Sequence, residues 1–442
     1  MVMMSTAYPP ADRAPARGMR AAERPHSARR YGVGFWTIAA VFVTAMAFST
    51  VPTPLYPIYQ AHDGFSTFTV TVVFAVYAVG VLTSLLFAGH VSDWVGRKKI
   101  MTFALALELL AAALFLAAPS LPVLLVARLV TGLGVGMLTA TATAHLQELH
   151  SAHRPGASTR RFEIVSTAAN IGGLGLGPLA AGALAQYLDA PLRLPYAVFG
   201  VLLLIGVVAI ALTPETVRKP AVRPAYRPQR VGEGLGRRGY LGAAAAGFAS
   251  MAVFGLFTSL VPGFVGGTLH HPSRMLAGLI VFSVFGAAAA AQVFTGRLGD
   301  RTRWTVGLLA LTAGMAVLVV AMHIASLPVF VLAGIAAGAG AGVLFKSAVG
   351  HVAGTASVAR RGEALAGLFF TSYLGLALLP VGLGVASRSM TVTMATTWFT
   401  GVVLVLLAAV AVLTRGHGST TRLRTAPTTS PGTGHEHQEA ER

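Results

Sequence analysis

Apolar residues in this chain fall into twelve long runs, each ended by a short polar, basic or proline-containing stretch. A helix needs roughly 20 apolar residues to cross a hydrocarbon core about 30 Å thick, rising about 1.5 Å per residue. The runs therefore predict spanning helices over 33–55, 69–90, 100–118, 121–145, 164–186, 194–213, 240–263, 274–295, 304–324, 328–350, 364–386 and 393–414. Strands of a membrane barrel would be about half as long and would alternate in polarity, and these runs do neither. The expected fold class is an all-α membrane protein of twelve transmembrane helices.

Composition narrows the reading. Only 11% of the 442 residues are charged and 55% are hydrophobic, whereas soluble domains carry about a quarter charged residues. Of the 33 Lys and Arg, 28 fall in the tails and in the loops on one face. The opposite loops hold Arg193, Arg274 and Arg388, and Arg128 and Lys346 lie within spans. The positive-inside rule then predicts a multi-pass protein of the inner (cytoplasmic) membrane with both termini in the cytoplasm. The net charge of +18 follows from that topology, which points to anionic lipid headgroups as partners and away from nucleic acid.

With no cysteine in the chain, disulfide and thiolate chemistry are excluded. Residues 1–32, rich in Arg, Pro and Ala, and residues 415–442, rich in Thr and Pro, are expected to be disordered cytoplasmic tails. No small-residue cleavage site follows the first run, so that run is expected to remain as a helix. His435-Glu436-His437 reads as solvated tail, and no metal site is expected. The loops are too short for a catalytic domain, and no HExxH, GxSxG or P-loop pattern occurs, so neither an enzyme nor a cofactor is expected.

The chain also repeats. Residues 214–239, with prolines and seven basic residues, read as a cytoplasmic linker between a six-helix bundle at 33–213 and a second at 240–414. Gly89-His-Val-Ser-Asp93-Trp-Val-Gly96-Arg97-Lys98-Lys99 after the second span has a counterpart in Gly296-Arg-Leu-Gly-Asp300-Arg301-Thr-Arg303 after the eighth. Gly132-x-Gly134-x-Gly136 with His145 is matched by Gly338-x-Gly340-x-Gly342 with His351, and Arg160-Arg161-Phe-Glu163 by Arg360-Arg361-Gly-Glu363. The glycine triplets lie within apolar spans with no strand before them, which rules out a dinucleotide loop. Parallel repeats of this kind predict two pseudo-symmetric bundles with a site between them.

On these residues the chain resembles the major facilitator superfamily. Three motifs carry the likeness: Gly89-x-x-x-Asp93-x-x-Gly96-Arg97-Lys98-Lys99, Arg128-x-x-x-Gly132-x-Gly134, and Gly173-x-x-x-Gly177-Pro178-x-x-Ala181-Gly182. The third resembles the antiporter motif of the drug:proton antiporter branch, with Ala181 where Gly is usual. The resemblance implies a monomeric secondary transporter with a small-molecule substrate. It also implies that Asp93 and Arg97 latch against the eleventh helix in the outward-facing state, with Asp300 and Arg301 as a weaker counterpart against the fifth. Read by themselves, the loop glycines (Gly89, Gly96) are turn formers, Asp93 suits a helix N-terminus, and the basic residues are cytoplasmic anchors. In the fifth span, glycines ending in Pro178 predict a bendable, closely packed helix.

Ionisable groups within spans are costly and mark function. Glu108 is the one acidic residue well inside a span, roughly 12 Å from its cytoplasmic end, and Arg128 lies roughly 10 Å from the outer end of its own. Many proton antiporters of the superfamily carry an acidic residue in the first helix, and this first span has none. Glu108 is thus the candidate proton carrier, or else the structural partner of Arg128; Lys346 near its span end reads as snorkelling. The resemblance puts helices one, four, seven and ten around the cavity, making Phe48, Tyr56, Phe254 and Phe257 candidate lining residues, joined by Tyr77, Phe370 and Tyr373. The expected function is proton-coupled efflux of small apolar or amphipathic compounds, the alternative being a carrier of a sugar, amino acid or organic acid.

Overall fold

The structure, a computed structural model, describes residues 24–88, 91–118, 120–217, 238–357 and 360–414. The expected tails up to residue 23 and from residue 415, most of the linker, and Gly89 lie outside the described residues. Among the described residues no strand occurs, and twelve helices are long and apolar enough to cross a membrane. They are α1 (Ala28–Asp63), α2 (Thr67–Phe87), α3 (Arg97–Ala117), α4 (Leu121–His153), α5 (Arg160–Tyr187), α6 (Leu194–Leu212), α7 (Arg238–Ser259), α8 (Arg274–Arg297), α9 (Asp300–His323), α10 (Leu327–Thr355), α11 (Arg361–Ala386) and α12 (Val392–Thr414). All twelve overlap the apolar runs that predict them.

The departures from those runs are at polar ends. Helix starts at Arg24, inside the stretch expected to be tail. Within α1 the regular helix stops at Thr50, passes through a tight turn at Thr53–Leu55, and resumes over Tyr56–Asp63. Pro52, Pro54 and Pro57 withhold backbone donors there, so the regular ladder cannot run through. The second half repeats the device: α7 ends at Ser259, and a short helix, Val261–Gly267, continues past Pro262.

Helix contacts obey the repeat. In the first half α4 packs on α1, α2 and α3, and α1 on α5 and α6, with α3 against α6. In the second half α10 packs on α7, α8 and α9, α7 on α11 and α12, and α9 against α12. The bundles join through α5 with α8 and α2 with α11, which are the same contact under the repeat.

Lipid tails are as apolar as leucine, so helices in a membrane associate through close packing rather than hydrophobic gain. The glycines supply that closeness. A Cβ at Gly132 or Gly80 would strike the facing helix backbone across α2 and α4, and the same holds at Gly314 and Gly340 across α9 and α10.

Helix α5 shows the arrangement most fully. One wider turn at Ala168–Gly172 leads into Gly173–Tyr187. Gly173 and Gly177 face Val43, Met46 and Ala47 of α1, while Gly175, Pro178 and Gly182 face α8, where Gly278 receives the Pro178 carbonyl. Pro178 has no N–H to give the carbonyl four residues back, that of Leu174. The Thr50 hydroxyl of α1 donates to this carbonyl at 2.9 Å, as well as to its own Ala47 at 3.1 Å. A side chain thus takes over the bond that the proline removes.

Two substitutions check this. Thr50→Val should lower unfolding stability in detergent by about 1 kcal/mol. Adding Pro178→Ala, which restores a donor at position 178, should recover part of the loss; strictly additive losses in the double-mutant cycle would rule out the shared carbonyl.

Candidate functional site

The two bundles close on each other at the end that bears Arg274 and Arg388. There the Arg274 backbone N–H donates to Gln186 Oε1 at 2.9 Å and its guanidinium to the Ala185 carbonyl at 2.8 Å. Arg388 lies over the Phe68 ring at 5.6 Å, and Gly384 abuts Thr71. The extension of α1 meets the short Val261–Gly267 helix at the same end. Toward the opposite end, a cleft of about 180 Å³ lies between α2, α4 and α11, and its lining among the described residues is apolar, including Leu82, Leu86, Ala140, Phe369 and Phe370.

The aromatic candidates divide. Phe48 turns into the first bundle, edge-on to Phe115 at 6.3 Å and near Phe199 at 6.5 Å. Phe254 stacks on Phe285 of α8 at 4.9 Å, and Phe257 packs on Phe330 of α10 at 6.3 Å. These three are buried between helices of their own bundles. Tyr77, Phe370 and Tyr373 belong to α2 and α11, the pair that joins the bundles, and Tyr373 is only partly buried. Tyr56 is buried with its hydroxyl unpartnered among the described residues.

Arg128 is 1% exposed. Its guanidinium donates to the Ser49 carbonyl at 2.6 Å, at the point where α1 loses its regular ladder, and stands 4.5 Å over the Tyr77 ring and 5.8 Å over that of Phe74. Its charge is thus met by a carbonyl dipole and aromatic faces. Glu108 of α3 is 0% exposed, its side chain against Gly134 of α4. Neither carboxyl oxygen has a hydrogen-bond partner among the described residues, and no ion pair joins it to Arg128. The two buried ionisable groups are separate. Lys346 donates to the Gln292 carbonyl of α8 at 2.9 Å.

Asp93 and Arg97 meet each other, and their further partners lie within the first bundle. The Arg97 guanidinium bonds Asp93 at 2.5 Å, Ser92 at 2.6 Å and Glu148 of α4 at 2.7 Å. Gly96 turns the chain with φ +111°, and a Cβ there would crowd Glu215, whose carboxylate accepts from the backbone N–H groups of Arg97 and Lys98, both at 3.1 Å. Thr216 bonds the other Glu148 oxygen, and the Pro214 carbonyl meets His145 at 3.1 Å. The segment leaving α6 is therefore tied to the start of α3. In the second half Asp300 pairs with Arg303 rather than with Arg301.

Comparison with known proteins agrees with this architecture. The sequence matches the Major Facilitator Superfamily profile twice, over residues 37–272 and 243–438. The chain belongs to the major facilitator superfamily. It is 39% identical over 77 residues to the multidrug resistance protein MdtL of Shewanella sp. (strain ANA-3), a match covering 17% of this chain and 19% of that protein. It is 28% identical over 149 residues to the uncharacterized MFS-type transporter Rv1250 of Mycobacterium tuberculosis (strain ATCC 25618 / H37Rv), covering 34% and 25%. The matches thus span a quarter or less of these relatives. Among solved structures, the human organic anion transporter MFSD10 (TETRAN) superposes with a TM-score of 0.62 at 20% identity, over 87% of this chain and 99% of that one. The nucleoside transporter NupG superposes with a TM-score of 0.64 at 12% identity, over 86% and 100%. This superfamily member is a multi-pass transporter and not an enzyme.

Sequence reasoning singled out Asp93 and Arg97 but missed Glu148, Glu215 and Thr50 as their supports or as supports of α5. A usable signal existed: Glu148 is an acid one turn beyond His145, and Glu215 follows the proline that ends α6.

The network ranks its own members. Glu148→Gln weakens the hold on a guanidinium that is 9% exposed and should cost about 2 kcal/mol. Asp93, 61% exposed, should cost less than about 1 kcal/mol as Asp93→Asn, while lowering transport. Denaturant titration alongside a transport assay checks the order, and normal transport by Asp93→Asn would remove the latch.

Proposed function

We propose that this transporter is a proton-coupled exporter of small apolar or amphipathic compounds, working by alternating access in the cytoplasmic membrane with both termini inside. The observation that carries the reading is Glu108, a fully buried carboxyl group whose two oxygens lack partners among the described residues. An unpaired carboxylate in apolar surroundings is costly, so this pocket accommodates the neutral acid. A group of this kind releases its proton when water or a cation reaches it, as a change of access would allow. Support comes also from the antiporter motif, whose glycines and proline place α5 against both α1 and α8, and from the apolar lining of the cleft between α2, α4 and α11. The short likeness to a multidrug resistance protein points the same way. With the basic loops inside, closure at the Arg274 end makes this the inward-facing state, and Asp93, Arg97, Asp300 and Arg301 are then a latch awaiting the outward-facing one.

One observation favours the second reading, a carrier of a polar or anionic metabolite. Arg128 is a buried cation with no ion pair among the described residues, and a substrate carboxylate would suit it.

The readings part in inverted vesicles holding the protein and a pH-sensitive dye. Lipophilic cations and neutral drugs should evoke proton release, and Glu108→Gln should abolish it, with at least about a tenfold loss of coupled flux. Release that persists in Glu108→Gln returns Glu108 to packing. Silence toward every drug, with a response to organic acids that Arg128→Met removes, would establish the metabolite carrier.

A further inference from the structure

One sizeable cavity lies outside the inter-bundle path. A groove of about 1040 Å³ opens between α9, α10 and α12 at the basic end of the second bundle. Asp300, Arg301, Arg303 and Trp304 line it near the start of α9, and Leu308, Leu404 and Leu407 are part of its apolar wall. Leu309 of its lining is 66% exposed, and Val405 and Val412, next in the chain to the lining residues Leu404 and Ala411, are 70% and 65% exposed, so the groove borders the face that meets lipid.

The repeat explains why it is there. In the first half the equivalent place, between α3, α4 and α6, is occupied by the chain's own acids. Glu148 grips Arg97, Glu215 caps the start of α3, and Lys98 reaches the Ala211 carbonyl at 2.7 Å. Matching His145 with His351 puts Gly354 opposite Glu148, and matching Leu212-Thr213 with Leu413-Thr414 puts Gly416 opposite Glu215. Neither carboxylate has a counterpart at these positions of the second half, where Trp304 stands opposite Arg97 and the cations are Arg301 and Arg303. Among the described residues Arg303 pairs only with Asp300, whose side chain is 84% exposed, and the Arg303 Nε is buried without a partner. Arg301 makes no ion pair among the described residues. Surplus positive charge therefore stands over a hydrocarbon-lined slot. The wall from Asp300 to Thr312 of α9 runs for about 18 Å.

We propose that this groove binds an anionic phospholipid, with the phosphate held by Arg301 and Arg303 and an acyl chain laid along Leu308, Leu404 and Leu407. The hydroxyl groups of Thr305 and Ser347, which also line the groove, are the donors available to the headgroup. Bidentate guanidinium contacts favour phosphate, and basic residues at the membrane surface favour anionic lipid over zwitterionic lipid. The site does not depend on what the protein transports.

Native mass spectrometry of the full-length protein tests the assignment, after delipidation and titration with phosphatidylglycerol or with phosphatidylcholine of the same chains. The wild type should hold one phosphatidylglycerol at least about tenfold more tightly than phosphatidylcholine, and Arg301→Gln with Arg303→Gln should erase that preference. Gly350 lines the groove, and a Cβ there meets open space. Gly350→Phe should therefore fill the slot and expel the lipid with both arginines in place. Preference retained in the double arginine variant would overturn the proposal. So would phosphatidylglycerol that stays bound in Gly350→Phe, since the arginines would then bind headgroups without the groove. Equal binding of the two lipids by the wild type, as expected if residues 415–442 fill the slot, would overturn it as well.

Discussion

A leucine that leaves lipid to touch another leucine gains almost nothing, and this constraint governs the whole molecule. Cohesion has to come from short distances between backbones, and short distances require residues without side chains. The glycines of α4, α5 and α10 are placed where a Cβ would meet the carbonyl or Cα of a facing helix. The same constraint demands that every backbone acceptor find a donor within the protein. Pro178 breaks that rule locally, and Thr50 repairs it from the next helix. Bundle geometry, the joint between bundles and the bend of α5 therefore rest on one set of close approaches.

Charge obeys a second constraint, since a bare ion in hydrocarbon is expensive. The chain meets it in three different ways. Arg97 is held between two carboxylates at the membrane edge. Arg128 is stabilised by a carbonyl at a helix break and by aromatic faces. Glu108, fully buried, has neither a cation nor a donor among the described residues, and so differs from Arg97 and Arg128. That contrast, more than its mere presence in a helix, is what marks it.

Much of the fold was legible because lipid forces long apolar runs, and a run of 20 such residues has few other uses. The repeat was legible too, since short motifs recur at a nearly constant offset. The ends of helices were not, because Arg24 to Tyr31 is polar and looks like tail, yet the chain there continues the helix. Side-chain directions were the larger gap. Phe48, Phe254 and Phe257 have the composition of cavity aromatics, but a helix in a membrane is apolar all round, so nothing in the sequence says which face points where. Glu108 and Arg128 could be found as buried ionisable groups, but not the absence of an ion pair between them, which depends on how α3 and α4 are rotated. Glu215 escaped notice because its role is set by Gly96, more than a hundred residues earlier in the chain.

The closed end of the molecule has a consequence of a different kind. Among the described residues it is sealed by backbone contacts at Gly182, Gly278 and Gly384, two carbonyl or amide bonds to Arg274, and an arginine over a ring. No ion pair crosses between the bundles there. Parting the bundles at that end separates no opposite charges, so its energetic barrier is one of wetting and packing. Added salt, which loosens ionic gates by screening, finds no ion pair between the bundles to screen at this end among the described residues. The frequency with which this end opens should accordingly be set by temperature and by the bilayer around it, and hardly by ionic strength.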